Sequence, residues 1–179
     1  MNKTDQPKNK QRSKVFFLPA LLAFFLTILP TSCKPQTHAP QFSGERALTL
    51  VEQQLSFGPR IPGTPGHAQM VAWLQDELET QGWKTEVQEA TRLGHPIKNV
   101  VARREGHNDA PWIILGAHYD TRIYANLDPD PQKRNQPVPG ANDGASGVAV
   151  LLELARVLPE QIPATVWLTF FDAEDNGQI

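Results

Sequence analysis

Apolar positions along the chain predict helices and strands in alternation from about residue 44 onward. Helical spacing recurs in three segments, namely 45–55, 65–81 and 148–158. Apolar runs typical of strands occupy four more, namely 83–87, 97–103, 112–117 and 165–171. Strands that are almost continuously apolar and alternate with helices predict a sheet that is covered on both faces. The expected fold class is therefore α/β.

Turn-forming residues indicate where some of these elements end. Thr64 is a suitable N-cap and Pro65 a suitable first residue for the second helix, and Gly82 supplies a C-terminal stop. A long polar, Pro-rich segment, 121–139, lies between the third strand and the third helix. Loops of this length are uncommon in compact domains and usually have a functional role.

The N-terminal region differs in composition from the rest of the chain. Basic residues in the first fourteen positions precede an apolar run, Val15–Leu29, and small residues follow it. This arrangement is typical of a secretory leader over 1–33, with a polar linker over 34–43 behind it. The domain then occupies 44–179.

Cys33 is the single cysteine of the chain, so it has no partner for an internal disulfide bond. Its place behind the apolar run resembles a bacterial lipoprotein cleavage site, at which Cys33 would become lipid-modified. Alternatively, Cys33 is incidental in a cleaved leader, or the apolar run is an uncleaved anchor. All three interpretations predict a domain outside the cytoplasm, either tethered to a membrane through the leader or its lipid, or secreted.

Charge and motif content exclude several function classes. The net charge is −2 and no Lys/Arg-rich run follows residue 14, so no nucleic-acid partner is expected. The sequence lacks a Gly-x-Ser-x-Gly elbow, a His-Glu-x-x-His helix motif and a phosphate-binding loop with lysine. A serine hydrolase, a helix-based zinc protease and a nucleotide-dependent enzyme are therefore disfavoured.

Three short motifs place a histidine or carboxylates just after an apolar run or just before a helix. They are Gly116–Thr121, Pro139–Gly147 and Phe170–Asp175. A buried strand that ends in a ligand-type residue is how α/β enzymes present a site at the carboxyl edge of a sheet. One histidine with several carboxylates is a donor set that suits zinc. We therefore predict a zinc site at this edge.

Each candidate residue also has an ordinary interpretation. His118 alone could be a core or surface histidine, but Asp120 could accept the second N–H of a ligating imidazole. Asp143 could be the N-cap of the helix that follows it, a role compatible with metal binding. Glu174 and Asp175 could form a solvated acidic loop, or one could bind metal while the other carries protons.

The remaining histidines are expected to be ordinary polar positions in loops or near helix ends. They are His38, His67, His95 and His107.

The three motifs, in this order, resemble the superfamily of zinc aminopeptidases and glutaminyl-peptide cyclotransferases, peptidase family M28, over roughly 45–179. Two further segments, Pro59–His67 and Asn99–Ala102, resemble that family's entry loop and second strand. The resemblance implies a three-layer α/β/α fold with a central mixed, mostly parallel sheet. It also implies that 44–179 is the N-terminal part of the catalytic domain, with the fold incomplete at the C-terminus.

The resemblance assigns roles to the motif residues. His118 would bind the second metal of two-metal members, or be vestigial, with Asp120 behind it. Asp143 would bind zinc, bridging where two metals are present. Glu174 would be the catalytic proton shuttle and Asp175 a zinc ligand, in place of the usual glutamate.

Asp175 and the long segment between His118 and Asp143 are more similar to the bacterial glutaminyl cyclase branch of that family. The favoured function is therefore a one-zinc glutaminyl-peptide cyclotransferase, which converts N-terminal Gln to pyroglutamate with loss of ammonia. The rival is a two-zinc metallo-aminopeptidase. In both, the partners are peptides with a free N-terminus. A third alternative, from another class, is an inactive extracellular binding domain.

Overall fold

The computed structural model describes residues 40–176. Their helices are α1 (Gly44–Ser56), α2 (Pro65–Thr80) and α3 (Ser146–Val157). Their strands are β1 (Lys84–Arg92), β2 (His95–Arg104), β3 (Trp112–His118) and β4 (Thr165–Phe171). The predicted leader, with Cys33, and His38 lie outside the described residues. No helix within 40–176 combines the length and the apolar character that crossing a bilayer requires.

The four strands form one mixed sheet in the order β1-β2-β4-β3. β2 runs antiparallel to both β1 and β4, whereas β3 and β4 are parallel and are joined through α3. The predicted α/β fold with a mixed sheet is thus confirmed. Within 40–176, however, only one of the three pairings is parallel, so this part of the sheet lacks the expected parallel majority.

The candidate motifs meet at one edge of the sheet because of this strand order. His118 is paired with Phe171, so the parallel strands β3 and β4 end side by side. β2 runs the other way and therefore begins at the same edge, beside the turn that links it to β1. The segments after β3 and β4 and the β1–β2 turn consequently lie near one another.

The core lies between the helices and one face of the sheet. Leu74 of α2, Leu152 of α3 and Leu168 of β4 are almost fully buried in a single cluster. On the opposite face, Trp112 and Ile114 are 68% and 62% exposed. The described residues therefore supply two of the three expected layers, and the expected cover on the second face is not found among residues 40–176.

The ends of α2 agree with the sequence prediction. The Thr64 hydroxyl accepts a hydrogen bond from the His67 N–H at 3.4 Å, and Pro65 occupies the first turn. Gly82 has φ +78°, a left-handed conformation that glycine adopts at little cost, and it ends the helix.

β1 is longer than predicted. The expected strand ended at residue 87, whereas β1 continues through five polar or small, largely exposed positions to Arg92. Its pairing with β2 supplies the backbone hydrogen bonds that the sequence pattern does not reveal. Leu93 and Gly94, with φ +50° and +82°, close the hairpin in the left-handed conformation that tight two-residue turns require.

Candidate metal centre

Three ligand-type side chains converge at the carboxyl edge of β3 and β4. His118 is the last residue of β3, and its Nε2 lies 3.0 Å from Oδ1 of Asp143. Asp175, four residues after β4, completes the group, and one ligand atom from each residue lies within 4.8 Å of the others. The structure therefore brings together the three residues that the sequence nominates as metal ligands.

Asp143 is presented by a kinked turn, Ala141–Ala145, and not by a helix end. Its backbone is extended (φ −85°, ψ 114°), and α3 begins at Ser146 without a side-chain cap. The interpretation of Asp143 as the N-cap of this helix is therefore wrong. The physical reason is Gly144, whose φ of +85° turns the chain between Asp143 and α3.

Gly144 also lets the turn that carries Asp143 approach the end of β3 closely. A Cβ at this position would lie 3.2 Å from the Asp120 carbonyl oxygen and 3.3 Å from Cε1 of His118. Such contacts are tighter than usual, and the positive φ would add strain for any other residue. Glycine here lets the Asp143 turn lie directly against His118.

Asp120 fixes the acidic turn that follows β4. Its side chain is fully buried, and its Oδ1 accepts the Glu174 N–H at 3.1 Å. Its Oδ2 accepts the Asp175 N–H at 3.1 Å and an N–H of the Asn176 amide at 2.9 Å. One carboxylate thus holds the backbone of both the predicted proton carrier and the predicted ligand, a role that the sequence analysis missed.

The predicted contact between Asp120 and His118 is present but long. Oδ1 of Asp120 lies 3.5 Å from Nδ1 of His118, and Nδ1 makes no well-formed hydrogen bond within the described structure. In the metal-free protein, this contact is the main cause that raises the pKa of His118 from 6.5 to about 9, and burial opposes it. The negative charge of Glu174 and the hydrogen bond to Asp143 contribute further. The imidazole therefore lies in a strongly negative environment.

Glu174 and Asp175 differ in environment although they are adjacent. Glu174 is exposed, whereas Asp175 is partly buried. Burial raises the pKa of Asp175, and the negative charge of Asp143 raises it further, while His118 lowers it. A cation bound among these groups would offset the repulsion between the two carboxylates. The division into one metal ligand and one proton carrier stays a prediction.

His67 is not the ordinary polar residue that the sequence suggests. It is 2% exposed, and its Nε2 lies 2.7 Å from Oδ2 of Asp172 and 2.9 Å from the Tyr119 hydroxyl. Asp172 also accepts the Lys98 N–H at 2.8 Å. The network therefore ties the start of α2 to the ends of β3 and β4. The only sequence signal was that Tyr119 and Asp172 each stand inside a candidate motif.

Tyr119 serves this network as a neutral hydroxyl. Burial raises its pKa above the ordinary value of 10, and the charge of Asp172 adds to the effect. Its O–H donates to the Lys98 carbonyl at 2.7 Å. Because Tyr119 stands between His118 and Asp120, these contacts restrain the backbone on which both side chains depend.

The donor set of this site fits zinc. One imidazole and two carboxylates are ligand types that zinc accepts in four-coordinate sites. Each of the three residues offers a ligand atom within 4.8 Å of the others. Burial, and then the negative charge of Asp143, raises the pKa of Asp175 in the absence of a cation. A bound positive ion would offset the repulsion between these carboxylates, so the arrangement fits residues that hold a metal.

Comparison with known proteins shows which family and which relatives this chain resembles. Residues 99–179 match the model of peptidase family M28. The uncharacterized protein YfbL of Escherichia coli (strain K12) is 33% identical over 165 residues, which cover 90% of this chain and 48% of YfbL.

Two crystal structures resemble the fold of this chain with the same TM-score and the same sequence identity. A Zn-dependent exopeptidase from Parabacteroides distasonis has a TM-score of 0.70 and 36% identity, covering 77% of this chain and 49% of that chain. The glutaminyl cyclase of Porphyromonas gingivalis has the same TM-score and identity, covering 75% and 49%. The chain thus spans about half the length of these three proteins. It carries a peptidase family M28 domain, and its fold is that of the zinc exopeptidases and glutaminyl cyclases.

Proposed function

We propose that the protein is a zinc-dependent glutaminyl-peptide cyclotransferase, which acts on the free N-terminus of peptides that begin with Gln. In this reaction the α-amine attacks the γ-amide carbonyl carbon, a five-membered lactam forms and ammonia leaves. The observation that carries the proposal is the convergence of His118, Asp143 and Asp175 into a single cluster beside Glu174. This cluster can hold a zinc ion, and one zinc is enough for the proposed chemistry.

Asp143 and Asp175 would hold the zinc in this proposal, with His118 alongside. Bound zinc would polarise the γ-amide carbonyl of the substrate. The protein's own contribution is to orient the substrate and to move a proton. Glu174 accepts the proton of the attacking α-amine and returns it to the leaving nitrogen, because its carboxylate is exposed while Asp120 fixes its backbone.

The second candidate is a two-zinc aminopeptidase, and one observation favours it. His118 lies 3.0 Å from Asp143, so an imidazole is available beside the carboxylate that would bridge two metals. In that case Glu174 would be the general base that activates water. The equal likeness to an exopeptidase and a cyclase supports both candidates alike.

A pair of peptides separates the two reactions. We expect the full-length protein with zinc to convert a Gln-initiated peptide into a product lighter by one ammonia and otherwise intact. We expect a Leu-initiated peptide to remain unchanged. Mass spectrometry of both mixtures reads out the result, and N-terminally acetylated peptides serve as inert controls. Release of free leucine would contradict the cyclase and support the aminopeptidase.

Glu174→Gln tests the proton carrier separately from the metal site. The variant should keep its zinc, because Glu174 is not a proposed ligand, and lose about a hundredfold or more in turnover, as is typical for a general acid–base residue. Glu160→Gln is a matched control, since Glu160 is exposed and lies near the start of β4, at the opposite edge of the sheet. Near-normal turnover of Glu174→Gln would remove Glu174 from the mechanism.

A further inference from the structure

Arg60 is a fully buried arginine in the irregular segment between α1 and α2. Its guanidinium group donates three hydrogen bonds, all to backbone carbonyls. Nε donates to Tyr119 at 2.9 Å, Nη1 to Pro139 at 3.0 Å and Nη2 to Gly140 at 2.8 Å. The planar fork of arginine suits such an arrangement, because its donors have fixed directions.

The three accepting carbonyls lie at the two ends of the long loop 121–139. Tyr119 stands directly after His118, and Gly140 stands three residues before Asp143. At the start of the loop, the Arg60 backbone N–H also donates to the Thr121 hydroxyl at 3.0 Å. Arg60 therefore holds together the two ends of the loop that separates the predicted ligands His118 and Asp143.

The space around the guanidinium is closely filled. Gly140 has φ +66°, and a Cβ there would lie 2.8 Å from Nη2 of Arg60 and 2.5 Å from Cγ2 of Thr121. The Gly140 carbonyl also accepts the Ala145 N–H at 3.2 Å, which links Arg60 to the turn that carries Asp143. The atoms around the guanidinium leave no free space into which it could move. A small displacement of the guanidinium would therefore also shift the turn that carries Asp143.

We propose that Arg60 is a positioning residue for the zinc site, which sets the separation of His118 and Asp143 by clamping both ends of loop 121–139. The inference rests on the zinc site of the proposed function but not on the reaction catalysed there. In the described structure, the Arg60 guanidinium donates its hydrogen bonds to backbone carbonyls and not to the side chains of the predicted ligands or of Glu174.

Arg104 provides a matched control within the same domain. It is also buried, and its guanidinium donates to three backbone carbonyls, those of Leu158, Pro159 and Gln81, at 2.9–3.1 Å. Arg104 is paired with Val166 near the start of β4, so it lies at the sheet edge opposite the candidate site. Its loss should disturb the fold to a similar degree without moving the zinc ligands.

The test compares zinc affinity and stability in Arg60→Lys and Arg104→Lys. Lysine retains the positive charge but cannot present the planar fork that reaches three carbonyls. We expect Arg60→Lys of the full-length protein to bind zinc at least tenfold more weakly in a competition titration with a chelating indicator. We expect Arg104→Lys to remain within twofold of the wild-type affinity. Urea unfolding of the metal-free proteins should show comparable losses of stability.

Two results would overturn the proposal: unchanged zinc affinity in Arg60→Lys, or an equal loss in Arg104→Lys. If Arg60→Lys does not fold, Thr121→Val removes only the acceptor of the Arg60 N–H and should still weaken zinc binding about threefold; unchanged affinity there would also refute the clamp. The zinc site of the proposed function is tested by the wild-type protein: if the wild type binds no zinc, the site itself is refuted, whatever the result for Arg60→Lys. Turnover of peptides plays no part in this measurement.

Discussion

Replacing Asp120 by Asn should destabilise the fold, because this buried carboxylate organises the acidic turn after β4. Three N–H donors point at its two oxygens, from Glu174, Asp175 and Asn176, at 2.9–3.1 Å. An asparagine side chain here would have the same shape but one oxygen only, so its NH₂ group must face at least one N–H donor. The change therefore removes charge-assisted hydrogen bonds without creating a cavity.

The expected magnitude follows from these contacts. Hydrogen bonds to a charged group contribute about 1.5–3 kcal/mol each, against about 1 kcal/mol for neutral ones, and an orphaned buried donor costs about 1–3 kcal/mol. With the oxygen placed toward Asp175 and Asn176, two bonds weaken and the one to Glu174 is lost. We therefore expect the free energy of unfolding to fall by at least about 2 kcal/mol.

Urea unfolding of the metal-free protein at neutral pH measures this change. Asp130→Asn is the control, since Asp130 is exposed and accepts one backbone N–H at 3.0 Å, so we expect a loss of less than about 0.5 kcal/mol. Amide hydrogen exchange gives a local readout, in which Glu174 and Asp175 should lose protection in Asp120→Asn. If the two variants were equally stable, Asp120 would not organise this turn.

Three further predictions concern other parts of the chain. Ala173 has φ +60°, so Ala173→Gly should raise the free energy of unfolding by about 0.5–1 kcal/mol in urea titrations, and a loss would show that the backbone is unstrained. Because folding raises the pKa of His118 from 6.5 to about 9, its stabilisation of the metal-free fold should be complete below about pH 6.5 and lost as the pH rises through 9. Urea titrations should show the stability of the wild type relative to His118→Gln falling by about 1–2 kcal/mol over this range, less than the full shift because solvent screens the partly exposed imidazole, and parallel pH profiles of the two proteins would contradict it. We propose that the protein is a membrane-tethered lipoprotein, so Cys33→Ser should release it from the membrane fraction or leave it unprocessed; a wild-type protein that is soluble and begins beyond residue 33 would rule out the lipid anchor.

Helices and strands that are marked by apolar periodicity or by capping residues were predicted correctly from the sequence. The apolar run 165–171 coincides with β4, and Thr64, Pro65 and Gly82 mark the ends of α2 as expected. The meeting of the first and third motifs at one sheet edge was also predictable, because parallel strands that end in ligand-type residues place them at the same edge.

Features that depend on distant partners were not predictable. His67 looks like a residue of a helix start, and only the approach of Asp172 and Tyr119 makes it a buried, hydrogen-bonded group. The role of Asp120 depends on backbone N–H groups more than fifty residues away. Asp143 has a sequence context typical of an N-cap, but the positive φ of Gly144 moves it off the helix. Tertiary contacts decide each of these positions, and a pattern read along the chain does not contain them.

The metal content of Asp143→Ala tests the central claim most directly, since Asp143 is the carboxylate nearest His118 in the proposed zinc site. Full-length wild-type and variant proteins would be loaded with zinc, dialysed and analysed by mass spectrometry for metal, with Asp130→Ala as a control. We expect the wild type and the control to retain zinc, one ion per chain if the protein is the cyclase, and Asp143→Ala to retain almost none. Equal zinc content in all three proteins would contradict the assignment of Asp143 as a ligand, and with it the account of this site.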